Sequence, residues 1–199
     1  HACHPVSRAD RGRVSADYIG ALRAAVRGRF GDVPCLFLLG CSGDLRPDFA
    51  RKRVVWLPRN RLNWRFEWPV LPQSEQRADQ AYAQAVATAQ VWQTIELAPH
   101  SLRLSFIDLV LVHQPALRIP CLHVGEHLRF EFIPFEVSHL FHLDAQKKDP
   151  MRFIVSCADH TLGYLPHPRQ IAAGGYEVNG SRACMGLTDR VQLKLGALW

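Results

Sequence analysis

Apolar residues recur at helical spacing near the start of the chain. Over residues 16–30 they stand three or four positions apart, which predicts a helix with Ser15 as its N-cap and Gly31-Asp32 at its end. A second, longer helix is predicted from Ser74 to about Glu96, because this stretch is rich in Ala and Gln and has high intrinsic helix propensity.

Other segments have the pattern of strands. Val33 to Gly40 is a continuous apolar run, which is typical of a strand buried on both faces. Further strands are predicted at 102–113, 117–124, 128–134 and 152–157, and short helices at 136–145 and 166–173, the latter broken by Gly174-Gly175. Residues 1–7 are expected to end a strand, and residues 48–73, rich in Arg, Trp and Pro, to be irregular. Together these elements predict one mixed, layered α/β domain over residues 1–199.

Length and composition agree with a globular domain. The chain has 199 residues, of which 48% are hydrophobic, enough to build a core. It has no apolar run of about 18 residues, so no membrane-spanning helix is predicted. The first residue is His1, close to a predicted strand end, and we therefore expect a further segment upstream.

The net charge of +6 is concentrated in one region. Seven basic residues lie between positions 46 and 65: Arg46, Arg51, Lys52, Arg53, Arg59, Arg61 and Arg65. Tryptophan and phenylalanine residues alternate with them. Such a stretch could stack on a nucleic acid strand or lie on an anionic lipid surface. The reading we favour is a solvated loop anchored by its aromatic side chains.

The six cysteines show no metal-binding spacing. No two of them form a Cys-x-x-Cys pair, so a zinc ribbon is not predicted. Several lie in apolar runs, where a free cysteine acts as a small hydrophobic residue. An even number would also allow disulfides in a secreted protein, and the sequence leaves that question open.

Four short motifs carry groups that could do chemistry. The first is Ala2-Cys3-His4-Pro5-Val6-Ser7, followed by a Ser-x-Asp-x-x-Gly helix start at 15–20. The second is the turn Gly43-Asp44-Leu45-Arg46-Pro47. The third is Ile133-Pro134-Phe135-Glu136-Val137-Ser138. The fourth is Gly163-Tyr164-Leu165-Pro166, with Tyr176-Glu177 twelve residues after the tyrosine.

In this order, and at the ends of predicted strands, the four motifs resemble those of the neutral (non-lysosomal) ceramidases. The resemblance extends from residue 1 to about residue 181. It implies that the chain is the second half of a larger catalytic domain, whose upstream part supplies further zinc-binding histidines. It also implies a secreted or cell-surface location, which nothing else in the sequence indicates.

The resemblance implies a role for each matching residue. His4, Glu136 and Tyr164 would be ligands of a Zn²⁺ ion, and Tyr176 would help to hold an oxyanion. Asp44 would lie at the catalytic turn, either orienting a ligand histidine or bonding its own backbone. His139 and His142 are expected to serve packing or the surface, and His160 is the best unassigned histidine.

One position of the turn departs from the family. Arg46 stands where the family has a serine that acts at the substrate, and Ser42 is four residues out of register. An arginine cannot be a nucleophile, but it would favour a carboxylate or phosphate on the substrate. We therefore expect the catalytic turn to recognise something other than ceramide itself.

The sequence thus predicts a zinc-dependent hydrolase that cleaves an N-acyl amide, a ceramide-like lipid amide or a related one, through metal-activated water. An anionic membrane surface is a possible partner, and nucleic acid is not an expected one. Two alternatives stay open: a catalytically degenerate homologue, and a binding module that uses the basic, aromatic stretch 46–68 on anionic lipid or nucleic acid.

Overall fold

The computed structural model describes residues 16–45, 51–57, 61–67, 80–81, 83–85, 88, 98, 101–109, 117–126, 128–159 and 161–185. For 51–57, 61–67, 109 and 182–185 only the backbone is described. The chain divides into two compact units. Among the described residues, the helix–hairpin unit includes 16–37 and those of 46–94, and the sheet unit includes Leu38–Leu45 and those after Ile95.

The helix–hairpin unit contains the first predicted helix. Helix α1 spans Asp17–Phe30, as the apolar spacing predicts, and the backbone N–H of Gly31 donates to Arg27 at its end. The buried Tyr18 packs edge-on against Phe37, with 5.9 Å between ring centroids. In the second predicted helix, the described residues 80, 81, 83–85 and 88 are all helical.

The prediction of an irregular stretch at 48–73 was wrong. Strands β1 (Arg51–Leu57) and β2 (Arg61–Glu67) form an antiparallel hairpin in which Val54 pairs with Trp64. The reason is local: β1 contains Val54-Val55-Trp56 and β2 contains Trp64 and Phe66, and β-branched and aromatic residues favour a pleated backbone even beside arginines. Most of the basic, aromatic stretch is therefore a β-ribbon; Arg46 lies outside the described residues.

The sheet unit is built on four strands: β3 (Leu102–Leu109), β4 (Leu117–Val124), β5 (Leu128–Phe132) and β7 (Arg152–Val155). Their order is β3-β4-β5-β7; the first two pairings are antiparallel and the last is parallel. A separate parallel pair joins β6 (Glu136–Val137) to β8 (Tyr164–Leu165).

Three helices complete the sheet unit: α2 (His139–Lys148), α3 (Pro168–Ala173) and α4 (Tyr176–Met185). Helix α2 begins three residues later than the predicted helix at 136–145, because Glu136 and Val137 pair as a strand instead. Helix α4 was not predicted, although the break at Gly174-Gly175 before it was. Helices and a mixed sheet together confirm the predicted α/β fold class.

The two faces of the four-stranded sheet differ in burial. Ile119, Cys121 and Ile154 are on the core face and join a buried cluster with Phe141 and Ala145 of α2. Leu102, Leu104 and Phe106 of β3 are on the other face and are 62%, 58% and 49% exposed. Within the described part of the chain, the buried cluster therefore lies on one face of the sheet.

The segment Val33–Gly40 is not the doubly buried strand that its apolar run predicts. No residue in it has strand structure, and Leu36 is 87% exposed. Leu39 is linked to the sheet by a hydrogen bond of 2.8 Å from the N–H of Ser156, which follows β7, to its carbonyl. A strand needs a partner along its whole length, and composition cannot show whether one is present. In the described residues, no helix is long and apolar enough to cross a membrane.

Candidate functional site

Two of the predicted ligands are neighbours across a parallel strand pair. Glu136 of β6 is in register with Tyr164 of β8, and the Glu136 N–H donates to the carbonyl of Gly163 at 2.8 Å. The N–H of Ser138 donates to Leu165 at 3.1 Å and extends the same ladder. Residues in register on adjacent strands project to the same side, so the carboxylate and the phenol lie together.

Tyr176 joins this pair from the first turn of α4. Its ring is edge-on to that of Tyr164, with 5.6 Å between centroids and 71° between planes. The pKa of the Tyr164 phenol is raised well above its ordinary value, mainly by burial and further by the nearby Glu136 and Tyr176, both within hydrogen-bonding reach. The structure thus brings together Glu136, Tyr164 and Tyr176, which we call the carboxylate–tyrosine cluster.

Helix α4 supports Tyr164 from behind as well as supplying Tyr176. Gly180 lies one turn after Tyr176, and a Cβ added there would be 3.9 Å from the Tyr164 ring. The hydroxyl of the buried Ser181 donates to the backbone carbonyl of Tyr164 at 2.6 Å. Tyr176 is 67% exposed, so the cluster opens to solvent on that side.

Asp44 lies in the loop before Arg46, and its carboxylate accepts four hydrogen bonds. Its Oδ1 accepts from the N–H of His139 at 2.7 Å. Its Oδ2 accepts from the Ser138 hydroxyl at 2.8 Å, from His139 Nδ1 at 2.9 Å and from Gln170 Nε2 at 2.7 Å. The loop is thereby fastened to the N-terminal ends of both α2 and α3.

These bonds give Asp44 a positioning role. Burial alone would raise the pKa of its carboxyl, but the hydrogen bonds from the His139 N–H, the Ser138 hydroxyl and the His139 ring together lower that pKa below the ordinary value. A carboxylate at the N-terminus of a helix is stabilised by the free N–H groups there. The structure accounts for Asp44 as the anchor of its loop, and for His139 as one of the donors that hold it.

The same network continues to a buried histidine that the sequence did not single out. His167 is the N-cap of α3: its Nδ1 accepts from the N–H of Arg169 at 3.3 Å, and its backbone N–H donates to Gln170 Oε1 at 2.8 Å. Its Nε2 therefore carries the proton and donates to Asp144 at 3.1 Å. A capping box with proline at the first helical position is a sequence signal that could have located it.

The loop that carries Asp44 runs very close to β6. The N–H of Gly43 donates to Val137 at 2.8 Å, and a Cβ at Gly43 would lie 2.5 Å from the backbone oxygen of Glu136. Only glycine allows this approach. The neighbouring Ser42 is buried, and among the described residues its hydroxyl has no hydrogen-bond partner.

The thiols near this loop are kept protonated. Burial raises the pKa of Cys41 to about 12, although the backbone N–H of His142 acts in the opposite direction. Burial also raises the pKa of Cys157; the Thr161 hydroxyl lowers it, and the negative charge of Glu136 raises it further. Because the thiolate is the nucleophile, neither cysteine is activated at neutral pH. Cys35, Cys41, Cys121 and Cys157 are free.

The described residues supply part of the predicted metal site. They contain no group of three or more His, Cys, Asp or Glu side chains that could hold a metal ion. Glu136 and Tyr164 nevertheless place a carboxylate and a phenol oxygen together, and oxygen donors of this kind suit zinc. The donors that are described therefore fit a zinc ion but do not complete its shell. His4, Arg46 and His160 lie outside the described residues.

Comparison with protein-family models, curated proteins and solved structures finds no match to this chain, so the carboxylate–tyrosine cluster must be interpreted from its own geometry.

Proposed function

We propose that this chain is part of a zinc-dependent hydrolase that cleaves N-acyl amides. The observation that carries the proposal is the carboxylate–tyrosine cluster, in which residues 28 and 12 positions apart in sequence, Glu136, Tyr164 and Tyr176, converge at one solvent-accessible point. The ceramidase resemblance assigned roles to these same three residues from their motifs alone.

Each residue of the cluster has a distinct part in the proposed reaction. Glu136 and Tyr164 would hold the metal through their oxygen atoms, and the family resemblance adds His4 as a third ligand. When bound there, zinc supplies Lewis-acid polarisation of the amide carbonyl and lowers the pKa of water toward about 7. The Tyr164 phenol, whose pKa is raised by burial and by its neighbours, depends on the charge of such an ion to act as a ligand.

Tyr176 acts on the substrate side. Its exposed side chain reaches the cluster from α4, so its hydroxyl is placed to donate a hydrogen bond to an oxyanion that develops as the amide is attacked. Asp44 and Gly43 hold the loop against β6 and keep Glu136 in register with Tyr164. Arg46, two residues after Asp44, would pair with an acidic group of the substrate.

The substrate class is inferred from the chemistry of the residues in the cluster. A metal and a hydrogen-bond donor that meet at one carbonyl suit an amide, and the family resemblance favours a lipid-linked one. Because Arg46 stands where the family has a serine, we expect the substrate to be an amide that carries a carboxylate or phosphate, and not ceramide itself. An anionic membrane would present such a substrate to a basic protein.

Zinc content is the first test. Elemental analysis would be made on this chain and on a version that carries any natural residues upstream of His1. We expect about one zinc per chain, lost in His4→Ala, Glu136→Gln and Tyr164→Phe and retained in Glu126→Gln. Glu126 is an exposed acidic residue in the turn after β4 and serves as the matched control.

Hydrolysis of a fluorogenic N-acyl amide separates binding from catalysis. Tyr176→Phe should retain zinc while kcat falls by about 10²–10³, the usual cost of removing one oxyanion donor. Zinc without activity on any acyl amide would support a degenerate homologue. No zinc in either version of the chain would overturn the metallohydrolase proposal.

A further inference from the structure

A row of basic residues crosses the four-stranded sheet at one end of its core face. The strand register pairs Arg103 of β3 with His123 of β4, His123 with Arg129 of β5, and Arg129 with Arg152 of β7. Adjacent strands are about 4.8 Å apart, so the four side chains start within roughly 15 Å on one side of the sheet. We call them the basic row.

The basic row carries more positive charge than its buried partner neutralises. Glu131 is fully buried; Arg152 binds it with two bonds, at 3.0 and 2.9 Å, and Arg129 adds one at 2.7 Å. Two guanidinium groups thus share one carboxylate, and Arg103 adds a third positive charge to the row. With His123 neutral, the group has a net charge of +2, and Arg103 is at its exposed end.

Part of the donor capacity of the row is unused. The Nε atom of Arg129 is buried without a hydrogen-bond partner among the described residues. A buried N–H without an acceptor is unfavourable, so Glu131 does not satisfy Arg129 fully. The Arg129 side chain is still 35% exposed, so an anion can approach it from solvent.

His123 links the exposed end to the buried end. Its Nδ1 lies 3.4 Å from a guanidinium nitrogen of Arg103, which can only donate, and its Nε2 lies 2.8 Å from the Ser105 hydroxyl. The ring is therefore neutral and protonated on Nε2. Burial, together with the positive charges of Arg103 and Arg129, lowers its pKa, although Glu131 acts in the opposite direction.

We propose that the basic row binds a phosphate group, with Arg103 and Arg129 as the direct contacts. Two uncompensated charges match a phosphate dianion, and guanidinium forks fit its oxygens in pairs. Arg152 holds Glu131 and keeps Arg129 in place. The site is built from β3, β4, β5 and β7 and is independent of the carboxylate–tyrosine cluster and of the proposed hydrolysis.

NMR spectroscopy of the histidine side chains of the 199-residue chain tests this site. Inorganic phosphate would be titrated against chloride at equal ionic strength, and the His123 signals followed. We expect a saturable change and a rise in the His123 pKa of about one unit, because a bound anion offsets the field of the arginines. Arg103→Gln, which removes an exposed side chain, should weaken phosphate binding about tenfold.

Arg118→Gln is the matched control. Arg118 is on the same strand as His123 but on the opposite face, where it pairs with Asp108 at 2.6 Å. This variant should bind phosphate as the unchanged chain does. The proposal fails if His123 shows no saturable response, if Arg103→Gln binds as tightly as the unchanged chain, or if acetate binds as well as phosphate.

Discussion

Asp44 and Glu136 are carboxylates in the same small region, and their surroundings differ. Asp44 accepts four hydrogen bonds from α2 and α3 and is 11% exposed. Glu136 is on the strand that Asp44's loop touches, and its carboxylate meets the phenol of Tyr164. Both residues lie in motifs that the sequence analysis assigned to a site, but the Asp44 oxygens accept hydrogen bonds from the ends of two helices, whereas the Glu136 carboxylate lies beside a phenol.

The difference shows what makes a carboxylate available for chemistry. A group whose oxygens are already bonded to fixed N–H and O–H donors stabilises the charged form and holds its neighbours in place. Glu136 instead lies beside the Tyr164 phenol, whose raised pKa keeps it protonated and able to donate to the carboxylate. We therefore expect Asp44 to govern stability and Glu136 to govern metal binding.

The largest effect on stability and on zinc binding should come from Gly43→Ala. The new methyl group would lie 2.5 Å from the Glu136 carbonyl oxygen, and backbone atoms cannot move aside cheaply. We expect a loss of about 3 kcal/mol in the free energy of unfolding, measured in urea, together with loss of zinc. Gly28→Ala in α1 is the control, because no atom lies within 4 Å of its Cβ position. An unchanged unfolding midpoint for Gly43→Ala would contradict the close approach.

Asp44→Ala should have the next largest effect on stability. Its comparison with Glu136→Gln should show that the two carboxylates have different roles. It leaves the donors of His139, Ser138 and Gln170 without their acceptor, so we expect a loss of about 2 kcal/mol in the free energy of unfolding. Glu136→Gln should change that free energy by less than about 0.5 kcal/mol while abolishing zinc binding. If Glu136→Gln destabilises the fold as much as Asp44→Ala does, the two carboxylates do not differ in their roles as proposed.

Acid should weaken the fold partly through Asp44. Its pKa is lower in the folded chain than the unfolded value of about 3.9, so its contribution is present above that pH and is lost as pH falls through the folded pKa. In Asp44→Asn the unfolding free energy should therefore fall less steeply below about pH 4. Chemical denaturation between pH 2 and 6 measures this slope; parallel curves for the two chains would exclude the linkage.

Ser42→Ala should have the smallest effect. Its buried hydroxyl has no partner among the described residues, so removing it should leave stability unchanged or raise it by about 0.5 kcal/mol. Thermal unfolding and the amide-hydrolysis assay would both be recorded. A variant that folds normally but loses activity would show that this serine, rather than Arg46, takes the place of the family's substrate-side serine.

The sequence predicted those elements whose pattern is local and regular. Helix α1 follows from apolar spacing, and β3 and β4 lie within the predicted strands at 102–113 and 117–124. Val33–Gly40 failed because an apolar run does not specify a partner strand. Helix α4 was missed because Asn179 and Gly180 within it have low helix propensity, which tertiary packing against Tyr164 overrides.

The candidate site, too, could be predicted only in part. Glu136, Tyr164 and Tyr176 were named from their motifs, and only the family resemblance implied that they would meet. The contact between Asp44 and Gln170 was beyond reach, because 126 residues separate them; the link from Gln170 to His167 is a capping box, which is a local signal. The anchoring of Asp44 could be recognised only once α2 and α3 were placed.

The bonds of Asp44 also bear on the order of events during folding. They close loops of 94, 95 and 126 residues, and such long closures cost more chain entropy and are completed late. During synthesis, Asp44 can therefore complete its bonds only after Gln170 has left the ribosome. The carboxylate–tyrosine cluster, which needs Tyr176, forms later still, so under the proposed function a zinc ion could be bound only near the end of synthesis.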